Sequence, residues 1–516
     1  MVTARPRPLH PSTWHRIAAA LVLAAATAAV ATTTAIAWRA PEALETTRDP
    51  RPRLVYFHAQ WCSWCRRFER ETLSDPEVAR RLSRDALPVR ADADLHRALF
   101  RRLGGRGLPY VALLEPDGRL ARSFTGLLAP GPFLDWLGNA PASRSAPPEI
   151  LVDPDTFHTA LEDLWDPEAR RLHGLSLTGI EGTKRPQPLT ARYLLEACHG
   201  AAACPDPAWR RRVPRLLDRM LDELEDPVDG GFYFYADPGG DGHTETAKRL
   251  ERNVRMTGLY LAACLRLEKE RYCRAARRGL DYLNAVLWDE ATGAYLLGQH
   301  ADSDYFSLEA AERRERTPPP LDPVFDTAAN AQALILLLES RRLPEAPDPS
   351  HRIERLTIWL LHDARLPRGA YAAHRLSSEK GPDTPGPLYT QAWVATALLR
   401  AHQQNLPVQG AQSDAPTAAL HRLLRYIGRF HYDPATRALS EPPAAEPSRY
   451  THPAGSGRMA LLLTRLPSDL CPAWADALLP GLLAQNRWRP GIELDDLVPA
   501  VQTWHRLQTS TAPPCG

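Results

Sequence analysis

The chain has 516 residues, too many for one core of ordinary size, and 44% hydrophobic with 24% charged residues is ordinary globular composition. A net charge of +2, with no basic block above the background, excludes a dedicated nucleic-acid binder. Most of the 49 prolines stand between periodic apolar segments, where they stop helices, so they do not signal disorder.

Residues Ile17 to Trp38 form an apolar run after Arg5, Arg7 and Arg16. A basic flank before such a run is the pattern of an export signal, and Ala35-Ile36-Ala37 offers a small-x-small cleavage site. The run is also long enough to span a bilayer uncut. Residues 1–38 are therefore expected to be a signal peptide or signal anchor. Either places the rest in the periplasm or cell envelope, held at the inner membrane if the segment stays uncleaved. Export permits disulfides among the eight cysteines. Beyond Cys62 and Cys65, neighbours suggest Cys198 with Cys204, Cys264 with Cys273 and Cys471 with Cys515. For the second pair, two buried free thiols on packed helices are the alternative.

Residues 39–52 read as a linker, and residues 53–138 as alternating strands and helices. Strands are expected at 53–57, 87–91, 110–114 and 120–124, the last two forming a hairpin around Pro116-Asp117-Gly118. Helices are expected from Ser63, from Pro76 with Asp75 as its cap, and from Pro132. The motif Trp61-Cys62-Ser63-Trp64-Cys65 falls between strand and helix. That placement puts Cys62 at a helix N-terminus, where the dipole and free N–H groups favour a thiolate, with Arg66 and Arg67 adding charge. Cys65, one turn later, is placed to resolve a mixed disulfide formed at Cys62. A zinc site would need a second ligand pair, which this segment lacks, so neither metal nor cofactor is expected.

Here the chain resembles the thioredoxin superfamily, through the strand-WCxxC-helix, Gly107-Leu108-Pro109 and the hairpin that follows. The resemblance implies catalytic Cys62 and Cys65, neighbours Trp61 and Trp64, and a cis-proline at Pro109 facing the cysteines. Two positions depart from the pattern. Tyr56 replaces the buried aspartate, and Ser63-Trp64 replaces Gly-Pro.

Residues 139–151 form a second linker. From 152 to 509 about twelve helical segments are expected, starting near 156, 190, 208, 253, 272, 326, 351, 389, 417, 454, 471 and 495. Between them a turn recurs: Trp165-Asp166-Pro167, Asp226 to Tyr233, Trp288 to Tyr295, Leu366 to Tyr371 and Tyr432-Asp433-Pro434. Each is a helix exit, a tight turn and an aromatic. Twelve helices with such a turn every second one make six hairpins, which close as an (α/α)6 toroid. The expected fold is thus multidomain: an α/β thioredoxin-like domain, then an all-α six-hairpin toroid, behind the N-terminal signal or anchor.

The combination resembles the YyaL-type family, which includes the spermatogenesis-associated thioredoxin-domain proteins. Gly230-Gly231-Phe232-Tyr233 fits that family's GGF-aromatic turn; Lys248, Leu250 and Asn253 fit part of an EKMLYDN-like helix start. Ala301-Asp302-Ser303 fits the end of its DADS motif, and Arg316, Pro320, Asp322 and Asn330 fit an R…P…D…WN segment. Ala247, His300, Val324 and Ala329 depart from it. The resemblance implies a toroid like those of glycosidases and sugar epimerases. Loop residues suited to grip a hydroxylated ligand are His243, Glu245, Lys248, Asn253, His300, Asp302, Asp322, Asp326 and Asn330, with Tyr305 and Phe306 among them. For Asp302 and Asp326, helix capping is the alternative. Three functional expectations result. The first is an envelope thiol–disulfide oxidoreductase acting with an unidentified redox partner protein, its toroid giving specificity for a substrate or client. The second is a carbohydrate-active or glycan-binding toroid with an accessory thioredoxin-like module. The third is a binding scaffold with neither chemistry.

Overall fold

The computed structural model describes residues 36–47, 49–58, 63–93, 96, 99–100, 103, 105, 108–138, 150–151, 153–163, 165–166, 171–172, 186–200, 204–236, 244–376, 385–406, 415–435, 437–439, 453–475, 487–488 and 494–509. The apolar run 17–35 lies outside them, and among the described residues no helix is long and apolar enough to cross a membrane. The chain divides into two compact units, residues 1–142 and 143–516.

The first unit is built on four strands, β1 (Arg53–His58), β2 (Leu87–Asp92), β3 (Tyr110–Leu114) and β4 (Leu120–Thr125), in the order β2-β1-β3-β4. β1 runs parallel to β2 and antiparallel to β3, and β3 to β4. Leu54, Val55, Tyr56 and Phe57 are all fully buried, because β1 is central and covered on both faces. The main helices are α1 (Ser63–Phe68), which continues as a π-type turn over Glu69–Leu73, α2 (Pro76–Asp85) and α3 (Pro130–Gly138). Asp75 caps α2 by accepting from the N–H groups of Glu77 and Val78.

The second unit is largely helical. Its main helices are α4 (Pro154–Asp163), α5 (Pro188–Cys198), α6 (Trp209–Leu224), α7 (Leu250–Leu267), α8 (Glu270–Tyr282), α9 (Thr327–Ser340), α10 (Ser350–His362), α11 (Leu388–Gln403), α12 (Ala415–Phe430), α13 (Pro453–Leu463) and α14 (Leu494–Thr509). Among the described residues, α5, α7, α9, α11, α13 and α14 each pack on the next, and α14 packs back on α5, closing a ring of six. Outside it, α6 covers α5, α8 covers α7, α10 covers α9, α12 covers α11 and α4 covers α14. This is the (α/α)6 toroid. Polar bonds seal its joint: Asp495 on α14 accepts from the Thr190 N–H (2.8 Å) and hydroxyl (2.9 Å), and its own N–H donates to Gln187 (3.1 Å).

The turn repeats are small two-stranded hairpins or bridges after successive outer helices: Trp165–Asp166 with Arg171–Leu172, Glu225 with Phe232, Trp288–Asp289 with Ala294–Tyr295, Arg365 with Tyr371, and Tyr432–Asp433 with Ala438–Leu439. Gly293 and Gly369 sit at φ of 75° and 87°, where a side chain is strained. The returning Phe232, Tyr295 and Tyr371 are buried at 1% exposure or less. A side-chain amide from the first turn of the next inner helix clamps each one's backbone. Asn253 accepts from the Phe232 N–H (2.6 Å) and donates to its carbonyl (3.1 Å). Asn330 does the same for Tyr295 (2.8 and 2.9 Å), and Gln391 for Tyr371 (2.9 and 2.8 Å).

Disulfides join Cys198 to Cys204 and Cys264 on α7 to Cys273 on α8, so the free-thiol alternative for the second pair does not hold. Cys471 is disulfide-bonded too, while Cys515 lies outside the described residues.

Candidate functional site

Trp61 and Cys62 lie outside the described residues, as does the Trp64 side chain. Cys65 is the third residue of α1, 1% exposed, and disulfide-bonded. Beneath it on β1, the Tyr56 hydroxyl lies 3.3 Å from the Cys65 carbonyl oxygen and 3.1 Å from Glu69 Oε1. Arg90, on β2, donates to the same Glu69 oxygen at 2.7 Å. Burial, reinforced by the Glu69 charge, pushes the Tyr56 phenol far above its ordinary range, so this side chain stays neutral. Where thioredoxins carry an aspartate, this chain therefore has a neutral hydroxyl backed by a carboxylate, Glu69, one hydrogen bond further out. Sequence spacing hid that carboxylate, because it reads as a surface residue of the helix. His58, at the end of β1, has its pKa lowered by burial and then by Arg90. Arg67 pairs with Glu71 at 2.9 Å, and Arg66 is exposed. The Leu108–Pro109 peptide bond is cis, immediately before β3.

In the second unit, three of the expected loop segments meet in a small sheet, Lys248–Arg249 beside Gly298–Gln299 beside Leu321–Asp322. His243 lies outside the described residues. Lys248 is fully buried beneath this sheet. Its ammonium donates to Asp226 (2.6 Å) and to the Gly230 carbonyl (2.8 Å), and faces the rings of Tyr282 (4.5 Å) and Phe306 (4.8 Å). Arg313 binds the same Asp226 oxygen at 2.7 Å. Burial, partly offset by Asp226, lowers the Lys248 pKa to about 8. Asn253 and Asn330 are the backbone clamps described above. Asp302 accepts from the Tyr305 N–H (2.9 Å) and Asp326 from the Ala329 N–H (2.8 Å), both as helix caps. Glu245 accepts from the Ala247 N–H at 3.3 Å. The His300 N–H donates to the Pro320 carbonyl, and the backbone of Asp322 pairs with Gly298. Tyr305 and Phe306 are buried with Tyr233. The segments converge, and Lys248, Asn253, Asp302, Asp326 and Asn330 bond to the protein's own backbone and to Asp226.

A different set of polar side chains shares the ring's interior. Glu251 and Arg255 on α7 bond to each other (2.7 Å), to Gln332 on α9 (3.0 and 2.9 Å) and to the Tyr389 hydroxyl on α11. Helices α7 and α11 are separated in the ring by α9, so these bonds cross the interior. The Glu251 side chain nevertheless keeps 41% of its surface accessible, so the protein does not fill the space beside it. On α13, Arg458 lies with its guanidinium 3.8 Å from the Trp393 ring centroid. Arg255, Gln332, Trp393 and Arg458 are each the sixth residue of an inner helix, a register that sequence reasoning passed over. Among the described residues there is no group of three His, Cys, Asp or Glu suited to hold a metal ion.

Comparison with known proteins divides along the same two units. Over 75 residues the chain is 35% identical to the thiol:disulfide interchange protein DsbD of Pectobacterium atrosepticum, covering 14% of this chain and 13% of that one. Over 96 residues it is 33% identical to DsbD of Yersinia enterocolitica, covering 18% and 17%. The chain thus spans less than a fifth of the length of these curated relatives. The toroid is similar to the crystal structure of a D-mannose isomerase (TM-score 0.51, 12% identity, 69% of this chain and 96% of that one). It is also similar to cellobiose 2-epimerase from Spirochaeta thermophila (TM-score 0.50, 13% identity, 69% and 97%), and at such identity the likeness is one of fold. Residues 42–141 match the thioredoxin-like domain family, and the larger helical unit has the six-hairpin fold of these sugar-converting enzymes.

Proposed function

We propose that the protein is a thiol–disulfide oxidoreductase of the YyaL-type architecture, working outside the cytoplasm through Cys62 and Cys65, with the toroid selecting the substrate or partner. The observation that carries this reading is Cys65, buried and disulfide-bonded in the first turn after the central strand of a thioredoxin-like domain. In the reducing direction, the Cys62 thiolate attacks a substrate disulfide, one substrate sulfur leaves as thiolate, and a mixed disulfide forms. The Cys65 thiolate then attacks Cys62 Sγ, releasing the second substrate sulfur and closing the Cys62–Cys65 bond. The substrate gains two electrons and two protons, and a dithiol protein partner restores the reduced enzyme. Run backwards, the same steps oxidise a dithiol, so the partner's potential sets the direction.

Insulin reduction by the full chain tests the chemistry. Turnover with dithiothreitol should exceed the uncatalysed rate and vanish in Cys62→Ser. The Cys65→Ser variant should instead accumulate mixed disulfides, separable on a non-reducing gel. A Cys62→Ser protein as active as the wild type would sink the proposal.

A further inference from the structure

The ring interior holds a buried cation that the fold itself does not use. Arg458 is 9% exposed, and no hydrogen bond or ion pair engages its guanidinium among the described residues; its Nε is buried without an acceptor. Its one contact of note is the stack on Trp393. Trp393 is 6% exposed, and its indole N–H is likewise buried without an acceptor. Neither donor has a protein acceptor among the described residues, although the two lie side by side on adjacent inner helices. Proteins keep such an arrangement where something else supplies the acceptors.

We propose that the toroid axis is a binding site for a sugar-sized hydroxylated carboxylate, its carboxylate held by Arg458 and its ring on the Glu251 side of the axis. The planar guanidinium fork matches a carboxylate with two parallel bonds. The neighbouring charges favour an anion. Burial and then Arg465, with Arg255 and Arg192 contributing, push the Arg458 pKa down to about 9, and Tyr389 opposes them. Glu251 is oriented by Arg255, Gln332 and Tyr389, and its accessible face is suited to accept from ligand hydroxyls. Arg255 is already paired with Glu251 and lies 4.0 Å from Asp495, so Arg458, stacked on Trp393, is the cation placed to take the carboxylate. This site lies in the second unit and does not depend on the cysteine chemistry.

The test is calorimetric titration of the full chain with D-glucuronate, D-glucose and inorganic phosphate, alongside melting curves. The expected result is saturable glucuronate binding about tenfold or more tighter than glucose. That binding should be lost in Arg458→Met, with a melting temperature no lower than wild type because an unpaired buried charge is gone. Trp393→Phe keeps the stacking face but removes the N–H donor, and should weaken glucuronate by about fivefold. Four results would overturn the proposal: no glucuronate binding, equal binding of glucose, tighter binding of phosphate, or unchanged binding by Arg458→Met. A fall of several degrees in the Arg458→Met melting temperature would assign the guanidinium to the scaffold and overturn it as well.

Discussion

Two buried cations in the toroid have opposite fortunes. Lys248 has a carboxylate, a backbone carbonyl and two aromatic rings around it. Arg458 has one aromatic ring and no acceptor among the described residues. Both pKa values are pulled down by burial, to about 8 and about 9, so loss of solvent is common to the two. The difference lies in what replaces the lost water. Lys248 is a closed account of charge, which makes it part of the scaffold beneath the small sheet. Arg458 is open on its polar side, which makes it a place for something to arrive. Burial of a charged residue is therefore a poor guide to function until its partners are known.

The contrast can be broken most severely at Asp226. Asp226→Asn takes from buried Lys248 its carboxylate and leaves Arg313 paired with Asp229 alone, and should lower stability by about 3–5 kcal/mol in urea unfolding. A loss below about 1 kcal/mol would mean the network is dispensable. Next in size is Asn330→Ala. It strips partners from the buried Tyr295 N–H and carbonyl and should cost about 2 kcal/mol, with faster amide exchange at Tyr295. Gly369→Ala, at a φ of 87°, should cost about 1 kcal/mol, and an unchanged urea midpoint would show the turn relaxes freely. The last is acid dependence. Burial pushes the Asp226 carboxyl up, yet Lys248 and Arg313 outweigh it and hold the folded pKa below the ordinary 3.8. Its contribution is therefore present above that value and lost as pH falls through the lower folded one. Urea midpoints at about pH 5 and about pH 3 should differ less in Asp226→Asn than in wild type. Arg458→Met should leave that difference as it was, since no carboxylate pairs with it among the described residues.

Much of the fold was legible in residue patterns. Strand boundaries in the first unit fall within a residue or two of those expected, because Leu54 to Phe57 and Tyr110 to Leu114 are continuous apolar runs between turn signals. The toroid was legible through its repeat, since each Gly turn followed by an aromatic marks a passage from outer to inner helix. The eleventh helix expected, from 471, falls where residues 476–486 lie outside the described residues. The interior site was not legible. Arg255, Gln332 and Arg458 are polar residues on helices, and periodicity alone cannot distinguish a face turned to bulk solvent from one turned to a wet axis. The reading went instead to Asp302 and Asp326, acids at loop ends, which is also where helix caps belong. The Asn253 and Asn330 clamps are likewise explained by geometry that a linear motif does not display.

The joint between α5 and α14 bears on how the chain is made. Thr190 and Asp495 meet across 305 residues of sequence, so the first inner helix waits for the last before its N-terminus is capped. A ring built vectorially stays open, with one flank of α5 uncovered, until α14 has left the ribosome. Contacts so distant in sequence form late and slowly. A nascent toroid would thus be most exposed to proteolysis and aggregation during its longest interval, just before the final sixteen-residue helix is delivered.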